Sequence, residues 1–167
     1  KSFLVILIIS EADDLGTQNS QLLSVDMYKE MIQPYHKMLF DHIKKCAKNK
    51  VYIFYHTCGA SLPFIPLLIE EGIDILNPIQ VSAAGMDSKD IKQKFGKDLT
   101  FWGGGVDTQH VLPYGTVQEV KDEVKRRIQD LAAGGGFVFN TVHNIQGDVP
   151  PENIVAMLEA FKKHSKY

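Results

Sequence analysis

Apolar residues fall along the chain in five short runs rich in β-branched and aromatic side chains, at residues 3–10, 51–56, 73–78, 99–106 and 136–142. Most are continuous rather than alternating, as expected of strands covered on both faces in a parallel sheet. Helical periodicity fills the intervals. Tyr35, Leu39, Ile43 and Cys46 recur on one stripe behind Pro34, a residue suited to a first helical turn. This stripe predicts that Cys46 packs into the core. A second helix is expected from Pro63 to Glu71, stopped by Gly72, and a third from Ser88 to Phe95, ended by Gly96. Thr116 and Glu119 form a capping box ahead of Val120, Val124, Ile128 and Leu131. The fifth helix starts at Pro151 and is expected to bury Ile154, Leu158 and Phe161.

Repeated βα units mean either an open doubly wound sheet or a (β/α)8 barrel. No Gly-x-Gly-x-x-Gly follows the first run, which weakens a dinucleotide-binding reading. Five units are too few to close an eight-stranded barrel. The chain also begins without methionine, almost inside its first strand, so the expectation is a fragment lacking its N-terminal part. Leu4–Ile9 is short for a signal-peptide core and runs into Glu11, Asp13 and Asp14, so it reads as a buried strand. The 167 residues form one expected domain. A net charge of −2 with mixed signs points to neither nucleic acid nor membrane. Two cysteines make no disulfide framework, which suits a reducing cytoplasm.

The unusual polar residues gather after the strands. Glu11, Asp13 and Asp14 follow the first, and His56-Thr57-Cys58-Gly59 the second. Asn77 and Gln80 follow the third, Asp107, Gln109 and His110 the fourth, and His143 the fifth. Barrel and open α/β enzymes build their sites at this C-terminal rim. Glu11, Asp13, Asp14, Asp107 and His143 are therefore candidate catalytic groups, and Asn77, Gln80 and Gln109 candidate cofactor contacts. Asp13 and Asp14 read equally as caps or turn residues, and Asp107 as a loop anchor. His36, His42, His110 and His164 read as surface residues. His56 and Cys58 lie two apart at a strand end, so both project to one face. They are the nitrogen and sulfur donors that zinc prefers. A small buried thiol beside a hydrogen-bonded histidine is the plainer alternative.

Together these segments resemble the uroporphyrinogen decarboxylase superfamily. The resemblance runs through Asp13–Gln18, His56–Gly59 with Gly72–Pro78, Gly104–Gln109 and Val149–Ile154. It implies a (β/α)8 TIM barrel of which this chain is the C-terminal five units. It also implies one of two activities. The methyltransferase branch carries a His-x-Cys zinc pair and a later cysteine, and moves methyl groups between a corrinoid protein and a small thiol. His56 and Cys58 match the pair, while His143 stands where the later cysteine would be, giving His56, Cys58 and His143 as the implied metal ligands. The decarboxylase branch uses no metal and acts on a tetrapyrrole, with a histidine similar to His143. A non-catalytic corrinoid- or tetrapyrrole-binding barrel is the third reading. Zinc-dependent methyl transfer is preferred because of the ligand pair. Two open sheet edges would also favour a homodimer or a retained N-terminal fragment.

Overall fold

The computed structural model describes residues 7–165. Five strands, β1 (Leu7–Ala12), β2 (Val51–His56), β3 (Ile75–Asn77), β4 (Thr100–Trp102) and β5 (Phe137–Val138), lie side by side in chain order, all parallel. A doubly wound sheet reverses its order at a switch point, and this one does not. The sequential order is that of barrel staves.

Among the described residues, seven α-helices connect and cover the strands: α1 (Val25–Met31), α2 (Gln33–Cys46), α3 (Ile65–Glu71), α4 (Ser88–Phe95), α5 (Val111–Tyr114), α6 (Val117–Leu131) and α7 (Pro151–His164). Local chemistry sets their ends. Ser24 caps α1 and Asp87 caps α4, and Thr116 and Glu119 close the expected capping box on α6. Gly72 ends α3 in the left-handed conformation, at φ 104°. Along β2 and the residue that follows it, Val51, Ile53, Tyr55 and Thr57 are buried, and Ile53 and Tyr55 belong to the main apolar cluster with Phe40, Phe64 and Leu68. Tyr52, Phe54, His56 and Cys58 alternate with them onto the opposite face, where Phe54 meets Trp102 edge-on. A second cluster joins Val120 and Val124 of α6 to Ala156, Met157 and Ala160 of α7.

Several expectations shift. Residues 3–6 of the first run lie outside the described residues. Leu7, Ile8 and Ile9 are exposed rather than buried, because β1 stands at one end of the sheet. The third, fourth and fifth strands are shorter than their apolar runs; Gly103 and Gly104, both at positive φ, end β4. On α2 the buried residue is Phe40, flanked by half-buried His36 and Ile43, while Tyr35 (65% exposed), Leu39 and Cys46 face out. The true inner stripe steps 36, 40, 43: it keeps Ile43 from the expected one and is displaced by one position at the other two. On α7 the buried set is Asn153, Ala156, Met157 and Ala160, and Leu158 is exposed. Small residues there let α7 pack closely on α6, and Asn153 ties it to the carbonyls of Leu112 and Gly115 at 2.9 and 2.8 Å.

The inward turn of α2 creates a buried polar network. Glu71 is fully buried at the end of α3 and accepts from the Tyr28 hydroxyl at 2.8 Å. His36 bridges it to the rim, with Nδ1 3.2 Å from Glu71 Oε2 and Nε2 3.1 Å from Asp13 Oδ2. Burial opposes a charged ring, but the hydrogen bonds and charges of Glu71 and Asp13 outweigh it, so His36 titrates above its ordinary value. A histidine raised on folding contributes stability that is complete below its unfolded pKa of about 6.5, and that is lost as pH rises through the folded value. The urea midpoint is therefore expected to fall as pH rises above about 6.5, and to fall less in His36→Gln. Parallel pH profiles for the two proteins would overturn this account.

Candidate metal centre

Three loops meet above the strand ends, and their backbones are tied together. Asp13 N–H donates to the His56 carbonyl at 3.1 Å, and Leu15 N–H to the buried Thr57 hydroxyl at 3.0 Å. Ala60 N–H donates to the Thr17 carbonyl at 2.8 Å. The crossing is so close that a Cβ on Gly16 would lie 2.6 Å from Ala60 N, and one on Gly59 would overlap the Gly16 carbonyl. Gln80 joins the third loop, accepting from Gly59 N–H at 2.7 Å and donating to Gln18 Oε1 at 2.8 Å.

This zipper brings Asp14, His56 and Cys58 together, with one potential ligand atom from each lying within 4.8 Å of the others. Cys58 Sγ is 3.4 Å from His56 Nε2, which is 3.9 Å from Asp14 Oδ1. The Asp14 carboxylate is held in place by the Cys58 backbone N–H at 2.9 Å. Burial, the Asp14 charge and the hydrogen bond to Asp14 push the Cys58 thiol up to about 11. With a carboxylate at its side, the sulfur keeps its proton unless a cation takes the proton's place. A carboxylate, an imidazole nitrogen and a sulfur around one point make a donor set that fits zinc.

The remaining predicted residues take varied positions. His143 lines the same cleft, of about 450 Å³, with Asp14, Cys58, Gln80, Thr108 and Gln109, but it is outside the group of three that converges. Asn77 and Gln80 are buried and their amides are engaged with protein groups at both ends. Gln109 is exposed in the cleft wall and accepts from Ser82 Oγ at 2.9 Å. Asp107 is buried and anchors its own loop, through Gln109 N–H at 2.8 Å and His110 Nδ1 at 2.9 Å. Glu11 lies in β1 opposite Tyr55, and Asp13 holds His36. Sequence reasoning placed His36 on the surface and missed its bridge. The available signal was Glu71, a carboxylate at the end of the helix whose preceding stretch Ile65–Ile69 is apolar, which must find a partner once buried. His42, by contrast, is exposed, 3.5 Å through Nε2 from the exposed Cys46.

Residues 7–164 match the family model described as uroporphyrinogen decarboxylase (URO-D). The chain belongs to the uroporphyrinogen decarboxylase family. Relatives carry both of its expected activities. A methylated-thiol–coenzyme M methyltransferase of Methanosarcina mazei is 25% identical over 148 residues, covering 87% of this chain and 35% of the relative. A uroporphyrinogen decarboxylase of Chlorobium luteolum is 30% identical over 147 residues, covering 86% of this chain and 39% of the relative. Among solved structures, a methyltransferase from Methanosarcina mazei superposes with a TM-score of 0.71 at 19% identity, over 96% of this chain and 43% of that one. That likeness shows the fold: five consecutive staves of a TIM barrel. The chain spans well under half the length of these relatives. Among the described residues no helix is long and apolar enough to cross a membrane.

Proposed function

We propose that this chain carries the zinc-binding side of a site that moves a methyl group from a corrinoid, held on a partner protein, to a small thiol. The observation behind the reading is the convergence of Asp14, His56 and Cys58 at the rim. Asp14 replaces His143 in the proposed donor set, since it is the third group that converges. His143, which lines the same cleft, would then face the substrate rather than the metal. Zinc bound there would supply the Lewis acidity that holds a thiol, with an ordinary pKa of about 8.5, as thiolate at neutral pH. The protein's part would be to hold the three donors and to receive the released proton. Asp13 precedes Asp14 in the loop and is largely solvent-exposed, a path by which that proton reaches water, and Glu11 lies just behind it at the end of β1. The M. mazei methyltransferase supports this branch.

The decarboxylase reading is favoured by the higher identity of the C. luteolum relative. Against it stands the convergence of a thiol, an imidazole and a carboxylate beside the cleft, a donor set for which a metal-free reaction has no evident use. The full-length protein separates the two. Methyl transfer from a methylated corrinoid protein to a thiol, abolished by a chelator and restored by zinc, is the expected result. Uroporphyrinogen consumed at an undiminished rate in the presence of chelator would overturn the proposal.

A further inference from the structure

His56 has two ring nitrogens, and only an unprotonated one can serve as a donor. Which nitrogen that is follows from its neighbours. β2 and β3 pair in parallel with His56 opposite Asn77, so their side chains stand together on the inner face. His56 Nδ1 lies 2.7 Å from Asn77 Oδ1. At the other end of that amide, Nδ2 lies 2.7 Å from the backbone carbonyl of Trp102. A carbonyl only accepts, so the amide must present its NH2 to Trp102 and its oxygen to His56. The reversed amide would set two oxygens against each other at hydrogen-bond distance. An oxygen facing Nδ1 in turn requires the proton there.

Packing holds the amide in this orientation. Asn77 is only 9% exposed, and its own carbonyl accepts from Thr57 N–H at 2.8 Å. Gly103, at φ 94°, backs onto the amide so tightly that a Cβ there would sit 3.2 Å from Nδ2 and 3.1 Å from the Thr141 carbonyl. β4 thus fixes Asn77, and Asn77 fixes His56.

We infer that Asn77 is a positioning residue which locks neutral His56 as the Nδ1–H tautomer and so aims the Nε2 lone pair at Cys58 and Asp14. The role toward zinc rests on the metal reading above, whereas the tautomer does not. Asn77 was expected to touch a cofactor directly; with both ends of its amide engaged, it acts instead through His56.

The test is 15N NMR of histidine-labelled, metal-free full-length protein at a pH where histidine is neutral, with the His56 signal identified by its loss in His56→Ala. Nδ1 is expected at the protonated position and Nε2 at the unprotonated one. A ring protonated on Nε2, or an even mixture, overturns the inference. In Asn77→Ala the tautomers should mix, and zinc affinity, measured by competition with a chromophoric chelator, should fall by about 10–100-fold. A single Nδ1–H ring with undiminished zinc affinity in that variant overturns it too. Should Asn77→Ala fail to fold, the wild-type spectrum still decides. Wild-type protein that shows the Nδ1–H ring but takes up no zinc would sink the metal reading while leaving the lock in place.

Discussion

Cys58→Ala is expected to abolish metal uptake: elemental analysis should give about one zinc per chain in the full-length parent and almost none in the variant. Structural zinc sites bind with about 10–16 kcal/mol, so each of three or four donors accounts for roughly 3–4 kcal/mol, or some 10²–10³-fold in affinity. The loss at Cys58 falls at the steep end, because the sulfur is the only soft donor of the three. Folding should survive. Cys58 is half-buried, its backbone N–H keeps its bond to Asp14, and the main apolar cluster does not include it. Unchanged zinc content in a folded Cys58→Ala protein would leave the thiol as packing and move the weight to metal-free decarboxylation. His143→Ala provides the contrast, since it leaves the three converging groups intact. Zinc should be retained there, with any loss confined to turnover.

How the sequence announced its fold and site differs with the range of the interactions involved. The alternation of strands and helices, the capping box at Thr116 and the stop at Gly72 depend on residues near one another in the chain, and each was legible. The His56–Cys58 pair was also legible, because alternation along a strand needs only local geometry. Helix faces were harder. On α2, Tyr35 and Leu39 looked like core, yet the residue that meets β2 is Phe40, which packs on Tyr55. A stripe can be read only to within about one residue when apolar side chains occupy adjacent positions. The third donor could not be read at all from spacing. Asp14 reaches Cys58 across 44 positions of chain, through a loop crossing that depends on two glycines with no motif between them. His36 was obscure for the same reason, its partners lying 23 and 35 residues away.

That loop crossing should be the most fragile point of the site, and Gly59→Ala should break it. Gly59 has φ 83°, which costs an alanine about 1–2 kcal/mol by itself. The new methyl group would also overlap the Gly16 carbonyl and meet Thr17 O at 2.6 Å, both backbone atoms that cannot rotate aside. Relieving the overlap means parting the 13–18 loop from the 56–60 loop, which pulls Asp14 away from Cys58 and strains the Ala60–Thr17 hydrogen bond. The combined loss should exceed about 3 kcal/mol, and the melting temperature should fall by roughly 10 °C. Zinc affinity should fall with it. Gly134→Ala separates the two contributions. Gly134 has φ 75°, but a methyl group added there would meet nothing within 4 Å, so it carries the conformational cost alone. It should lose about 3 °C and keep its zinc. If Gly59→Ala matched Gly134→Ala on both measurements, the loops would not cross this closely, and Asp14 would lose its claim to be the third donor.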